Sequence, residues 1–167
     1  VEHLYLIQFA GAGALETSSP FPFYDVDVTN GTYTTPITET DYALRAIAID
    51  GTSHLFAIDM SWSQYSTDDG LEVNRILELA RDANGYVTGI ANEVETNLES
   101  DEPCGATNKW PSGAAVVTID GTSQLLIGHN TGVAAYNVST LVQDVNLSLP
   151  GFGQLFAELV PSVDGTR

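Results

Sequence analysis

The stretch Ala114–Leu149, AAVVTIDGTSQLLIGHNTGVAAYNVSTLVQDVNLSL, sets the architecture. It holds four short apolar runs, Ala115–Ile119, Gln124–Ile127, Val133–Val138 and Leu141–Leu147. Asp120-Gly121-Thr122, Asn130-Thr131-Gly132 and Ser139-Thr140 separate them. Short β-rich runs bounded by turn residues read as strands. Four of them within about forty residues make an antiparallel meander the size of a β-propeller blade.

On its N-terminal side, Ala43–Ile49, Asp50-Gly51-Thr52 and Leu55–Ile58 repeat the opening of that unit, and a polar insert, Ser61–Gly70, follows. Leu71–Asn84 supports two readings. Val73, Ile76, Leu77 and Ala80 have helical spacing, with Asp69 as cap and Gly85 as stop. Alternatively, Arg75–Leu79 and Tyr86–Ile90 are strands about the turn Arg81-Asp82-Ala83-Asn84-Gly85. The hairpin is favoured because it matches the neighbouring units. Asn92–Gly113 is the longest stretch without periodicity, and Pro150–Gly153 reads as a linker.

Toward the N-terminus, Val1–Phe9 is a strand, and its continuous run Leu4-Tyr5-Leu6-Ile7 suits burial on both faces. After the Gly-, Ser- and Pro-rich loop Gly11–Pro22, Phe23–Val28 alternates cleanly. Asn30-Gly31 then signals a two-residue hairpin turn. Thr32–Ile37 follows as an outer strand, and Pro36 suits a sheet edge because proline cannot donate to a ladder.

Asp-Gly-Thr recurs at Asp50-Gly51-Thr52, Asp120-Gly121-Thr122 and Asp164-Gly165-Thr166. Glycine takes a positive φ at little cost, and Asp and Thr side chains bond to the turn backbone, so the tripeptide suits a tight turn between strands. The first two copies are followed by His54-Leu55-Phe56-Ala57-Ile58 and Gln124-Leu125-Leu126-Ile127. The third is followed by Arg167, and its missing continuation is Val1-Glu2-His3-Leu4-Tyr5-Leu6-Ile7. In the next strand Tyr24-Asp25-Val26 aligns with Tyr136-Asn137-Val138 and, more loosely, with Leu77-Glu78-Leu79. The expectation is one all-β, propeller-type domain over residues 1–167 with about three four-stranded blades: 44–92, 114–149, and a third split between residues 155–167 and 1–38. Three blades are fewer than the usual four to eight. The chain is therefore read as a piece of a longer one, or as copies that complete each other's end-blade.

These residues resemble the lactonase-like propellers built from YVTN repeats. Val163-Asp164-Gly165-Thr166 and Ile119-Asp120-Gly121-Thr122 match the family's first turn without its proline. Leu126-Ile127-Gly128-His129-Asn130 is similar to its second strand and Val133–Thr140 to its third. The resemblance implies blade geometry. The family includes lactone hydrolases, amine dehydrogenase heavy subunits and repeat domains of microbial surface proteins. None of their catalytic motifs occurs here, so no catalytic or cofactor-binding residue is carried over.

Charge narrows the partners. Twenty-two acidic residues face five basic ones, giving a net charge of −17. Nucleic acid and anionic membranes select for Lys and Arg, so neither is an expected partner. No apolar run is long enough to span a membrane as a helix. Such a surface suits divalent cations, basic partners or a salty medium, and in the simplest case solubility outside the cell. The lone Cys104 fixes no disulfide.

The acidic run holding Glu93, Glu95, Glu99, Asp101 and Glu102 is the candidate calcium site, although it lacks the Asp-x-Asp-x-Asp-Gly spacing and reads equally as a solvated loop. His3 and His54 share one repeat position, where the third unit has Gln124, which points to structure ahead of metal ligation or base chemistry. His129 ends a strand at a loop where a site could form, and Asp25 and Asp27 share one strand face without an identified partner. Three sequons, at Asn30, Asn137 and Asn146, are candidate glycosylation sites and point outside the cell. The expected function is an extracellular or cell-surface structural and interaction module that binds protein partners or its own copies. The alternatives are an enzyme or enzyme subunit of the lactonase-like or amine dehydrogenase-like kind, and a calcium-dependent binding domain.

Overall fold

A computed structural model describes residues 2–7, 22–37, 44–51, 54–61, 73–96, 111–129 and 132–148. All the regular structure among them is antiparallel β. The first sheet is β1 (His3–Ile7), β2 (Phe23–Asp27) and β3 (Thr32–Thr34). The second is β4 (Leu44–Asp50), β5 (His54–Ser61), β6 (Val73–Arg81) and β7 (Val87–Glu95). The third is β8 (Pro111–Ile119), β9 (Thr122–His129), β10 (Gly132–Asn137) and β11 (Gln143–Ser148). Each is a meander in which neighbours in sequence are neighbours in the sheet.

Alternation builds the core from both faces of the middle sheet. Leu55, Ala57, Leu77 and Leu79 point one way and pack with Phe23 of the first sheet and with Ile37, just beyond β3. Ala46, Ala48, Phe56, Ile58 and Ile76 point the other way and pack with Leu125, Ile127, Ala134 and Tyr136 of the third, and with Val138 in the turn after β10. The sheets are thus stacked face to face, with the second between the other two. β4 lies against β8 along much of its length, while β1 touches β4, and β5 touches β8, more lightly.

The segment of two readings is a hairpin: β6 and β7 flank residues 82–86, and no helix occurs among the described residues. Other expectations are corrected. β1 is not buried on both faces; Leu4 and Leu6 are 49% and 44% exposed. The Asn30-Gly31 hairpin has four loop residues rather than two, because Asp27 pairs with Thr32. Its backbone carbonyl accepts Gly31 N–H at 2.9 Å and its side chain caps Asn30 N at 2.9 Å, which stabilises the wider loop. β7 runs to Glu95 and β8 starts at Pro111, so both ends of the supposed loop 92–113 are strand.

The two described Asp-Gly-Thr turns also differ. Ile119 pairs with Thr122, leaving Asp120 and Gly121 as a two-residue turn with φ of 49° and 79°. Positive φ at both positions is the type I′ geometry whose twist matches the flanking strands. Asp50 instead pairs with His54 and leaves three residues between them, with Gly51 at φ 48°. Both turns join the first two strands of a sheet, so they correspond in topology but not in conformation. Asp164, Gly165 and the rest of residues 155–167 lie outside the described residues. In the third sheet the last turn is longer than Ser139-Thr140. Leu141 adopts φ 53° outside any strand, and Asn137 Oδ1 accepts Ser139 N at 2.9 Å and Thr140 N at 3.2 Å.

Candidate functional site: a repeated histidine clasp

Among the described residues, a dense polar cluster lies where the β6–β7 turn of the second sheet meets the first sheet. The turn is preset locally. Asp82 Oδ1 accepts Asn84 N at 2.8 Å and Tyr86 N at 3.0 Å, and Asp82 N donates to Tyr86 O at 2.9 Å. Short polar side chains that bond their own backbone favour such turns. Gly85 takes φ 97°, and a Cβ there would lie 3.0 Å from His3 Cδ2. Glycine is therefore required twice, for its backbone angle and for the close approach of the histidine ring.

His3 Nδ1 meets Asp25 Oδ1 at 2.6 Å and its Nε2 meets Asn84 O at 3.1 Å. Both ring nitrogens therefore lie within hydrogen-bonding distance of an oxygen. Its side chain and that of Asp25 are almost wholly buried. The other Asp25 oxygen accepts Val87 N at 2.7 Å, and Tyr5 O–H donates to Gly85 O at 2.9 Å. The His3 ring stacks on Tyr5 at 5.9 Å and meets Tyr86 edge-on at 4.6 Å. Beside it, buried Asp27 accepts Tyr86 O–H at 2.6 Å and Asn30 Nδ2 at 2.7 Å. The Tyr86 hydrogen bond, followed by those of Asn30, draws the Asp27 pKa down to about 2. The same bond to Asp27 raises the Tyr86 pKa, so the two partners agree.

The second sheet repeats the motif. His54 Nδ1 meets Glu78 Oε1 at 2.7 Å, and the ring stacks on Phe56 at 5.8 Å. The registers coincide: Tyr5 pairs with Asp25 and Phe56 with Glu78, with the histidine two residues earlier each time. In the third sheet Gln124 takes the position and donates to Asp144 Oδ2 at 2.8 Å. β1, β5 and β9 thus share this residue position; His3 faces the second sheet, and His54 lies on the face of β5 that packs toward the third. The same registers correct the strand alignment. Leu77-Glu78-Leu79 does match Tyr24-Asp25-Val26, but Leu126 pairs with Ala135, so Asn137 lies two residues beyond the position of Asp25.

The second sheet also holds a buried carboxylate. Asp59 is fully buried and receives Arg75 Nε and Nη2 at 2.7 Å each, while Arg75 Nη1 reaches Glu93 at 2.8 Å. Burial opposes the Arg75 charge, and the two carboxylates outweigh it and raise its pKa.

The remaining sequence candidates disperse. Glu93 and Glu95 lie on β7, Glu93 engaged with Arg75, whereas Glu99, Asp101 and Glu102 lie outside the described residues. Among the described residues no three Asp, Glu, His or Cys side chains gather to hold a metal. His129 is buried at the end of β9. Asn30 is exposed on its loop, Asn137 caps a turn, and Asn146 lies in β11. Sequence reasoning marked His3, His54, Asp25 and Asp27 but missed Tyr5, Asn84, Tyr86 and the Asp59–Arg75 pair. The one local signal for the first group is Gly85 after Asp82, a turn able to approach a neighbour closely.

No protein-family model, curated protein or solved structure matches the chain.

Proposed function

We propose that the chain is a structural and interaction module, an extracellular or cell-surface building block made of stacked propeller-type blades. Its first sheet is an incomplete blade in which β1 is the second strand, and residues 155–167 supply the first. The observation that carries this reading is the repeated clasp. His3, Tyr5 and Asp25 reproduce the chemistry and register of His54, Phe56 and Glu78. The light approach of β1 to β4, like that of β5 to β8, supports the same assignment.

The cluster around His3, Asp25 and Asp27 ties the first sheet to the second, while His54–Glu78 and Asp59–Arg75–Glu93 tie strands within the second. Both His3 nitrogens and both Asp25 oxygens have protein partners, and no ring nitrogen of His3 is left to act as a base. The acidic, lysine-poor composition and the sequon on the exposed Asn30 loop support a place outside the cell. The degenerate YVTN-like turns support the propeller kinship.

The test is deletion of residues 155–167. The shortened chain is expected to unfold its first sheet at lower denaturant while β8–β11 keep their protection, and a peptide of residues 155–167 added in trans restores the first sheet. Unchanged unfolding and exchange at β1 after the deletion would contradict the split-blade reading. Lactone turnover by the purified chain would contradict the structural one.

A further inference from the structure

The dipeptide Asn-Gly occurs at Asn30-Gly31 and at Asn84-Gly85, and both copies fall in described turns. It has a chemistry of its own. The backbone nitrogen of the second residue can attack the asparagine Cγ. Glycine, having no Cβ, neither shields that nitrogen nor restricts the rotation that brings it within reach. Asparagine is thermolabile by this route. The two copies share a sequence and differ in how they are held.

Asn30 Nδ2 donates to Asp27 Oδ2 at 2.7 Å and Asn30 N to Asp27 Oδ1 at 2.9 Å. Asp27 is itself buried and accepts Tyr86 O–H at 2.6 Å. Gly31 N donates to Asp27 O at 2.9 Å. The carboxamide and the attacking nitrogen are thus both tied to one anchored residue. At residue 84 the backbone alone is tied. Asn84 N donates to Asp82 Oδ1 at 2.8 Å, and Asn84 O meets His3 Nε2 at 3.1 Å. Asn84 is exposed, and among the described residues nothing bonds its carboxamide. Gly85 N donates to Asp82 O at 3.1 Å, toward the long end for such bonds.

We propose that Asn84-Gly85 is a self-modifying site, at which the chain deamidates without an enzyme and alters its own clasp. Gly85 N bonds to Asn84 Cγ, and the Cγ–Nδ2 bond breaks. The proton that Gly85 N gives up leaves with Nδ2 as ammonia. The cyclic imide then takes up one water at either carbonyl and opens to aspartate or isoaspartate. Both products add a negative charge to the turn that carries Asp82, against the sheet that carries Asp25 and Asp27. In isoaspartate the main chain also gains a methylene, and the carbonyl that met His3 Nε2 becomes part of a free carboxylate. The lengthened turn cannot keep its bonds to Asp82 and hold that oxygen in place against His3, so its grip on β1 loosens.

Ageing the whole folded chain in mildly alkaline buffer tests this. Peptide mapping follows each asparagine, and electron-transfer fragmentation tells isoaspartate from aspartate. Asn84 is expected to convert about tenfold or more faster than Asn30, the difference set by the bonds to the Asp27 carboxylate. In denaturant, where those bonds are gone, the two rates should come within about threefold of each other. Equal rates in the folded chain, or an Asn84 that outlasts Asn30, would overturn the proposal. Hydrogen exchange reads the consequence. The aged chain carrying isoaspartate is expected to lose protection in β1 about threefold or more, with β8–β11 unchanged. Asn84→Gln, whose longer side chain does not close the same ring, should keep β1 protected through the same ageing. Unchanged β1 protection in chains modified at residue 84 would sink the link to the clasp. The rate comparison uses the parent chain alone, so it decides the site even if Asn84→Gln does not fold.

Discussion

Replacing Gly85 by alanine probes the clasp most sharply, because two separate costs meet at one Cβ. The backbone cost comes from φ 97°, where an L-residue is strained by about 1–2 kcal/mol. Gly31 provides the reference: its φ is 67°, and nothing lies within 4 Å of where an alanine methyl would sit, so Gly31→Ala carries the backbone cost alone. At Gly85 the methyl also meets His3 Cδ2 at 3.0 Å, and the ring cannot yield without lengthening its 2.6 Å bond to Asp25. Hydrogen bonds to charged groups are worth about 1.5–3 kcal/mol, so a partial loss adds about 1–2 kcal/mol. Gly85→Ala is therefore expected to cost about 2–4 kcal/mol and Gly31→Ala about 1–2 kcal/mol. Equilibrium denaturation measures both, and a double-mutant cycle with His3→Ala isolates the contact. In the His3→Ala background the cost of Gly85→Ala should fall to that of Gly31→Ala. Equal costs for the two glycines in the parent chain, or no change on removing His3, would show that the ring contact contributes nothing.

The other outcomes follow from the same contacts. Tyr86→Phe should move the Asp27 pKa from about 2 toward the ordinary 3.8, read by NMR titration of the carboxyl. Because the folded pKa is the lower one, Asp27 contributes stability that is present above 3.8 and lost as pH falls through about 2; the variant should lose that acid dependence. Arg75→Met leaves Asp59 charged and buried without its guanidinium, at a cost of about 3–5 kcal/mol in urea unfolding. His54→Ala breaks the equivalent but half-open pair with Glu78 and should cost about 1 kcal/mol or less.

The strands were legible wherever alternation or turn residues bounded them, as at Phe23–Asp27 and around residues 82–86. Part of the repeat was legible too, since Asp-Gly and the following His54 or Gln124 mark the entrance to the second strand of the second and third sheets. Three features were not. A run such as Leu4-Tyr5-Leu6-Ile7 carries no face information, so its sequence cannot say that one side stays open. Turn length depends on which residues pair across it, and one residue more beside Gly51 than at Asp120-Gly121 is invisible in matching tripeptides. The clasp joins Asp27 to Tyr86 and His3 to Asn84 across sheets, contacts that local pattern cannot supply. His3, Asp25 and Asp27 stood out as residue types, and their partners came only with the stacking of the sheets.

The split-blade assignment makes β1 a second strand, with another strand on its free side. Val28 N donates to Glu2 O at 2.9 Å, so the alternation of an antiparallel pair turns the amides of His3, Tyr5 and Ile7 away from β2. Through-hydrogen-bond NMR couplings from those three amides identify their acceptors directly. Couplings to carbonyls within residues 155–167 are expected. Amides that show no coupling and exchange freely with water would contradict the assignment.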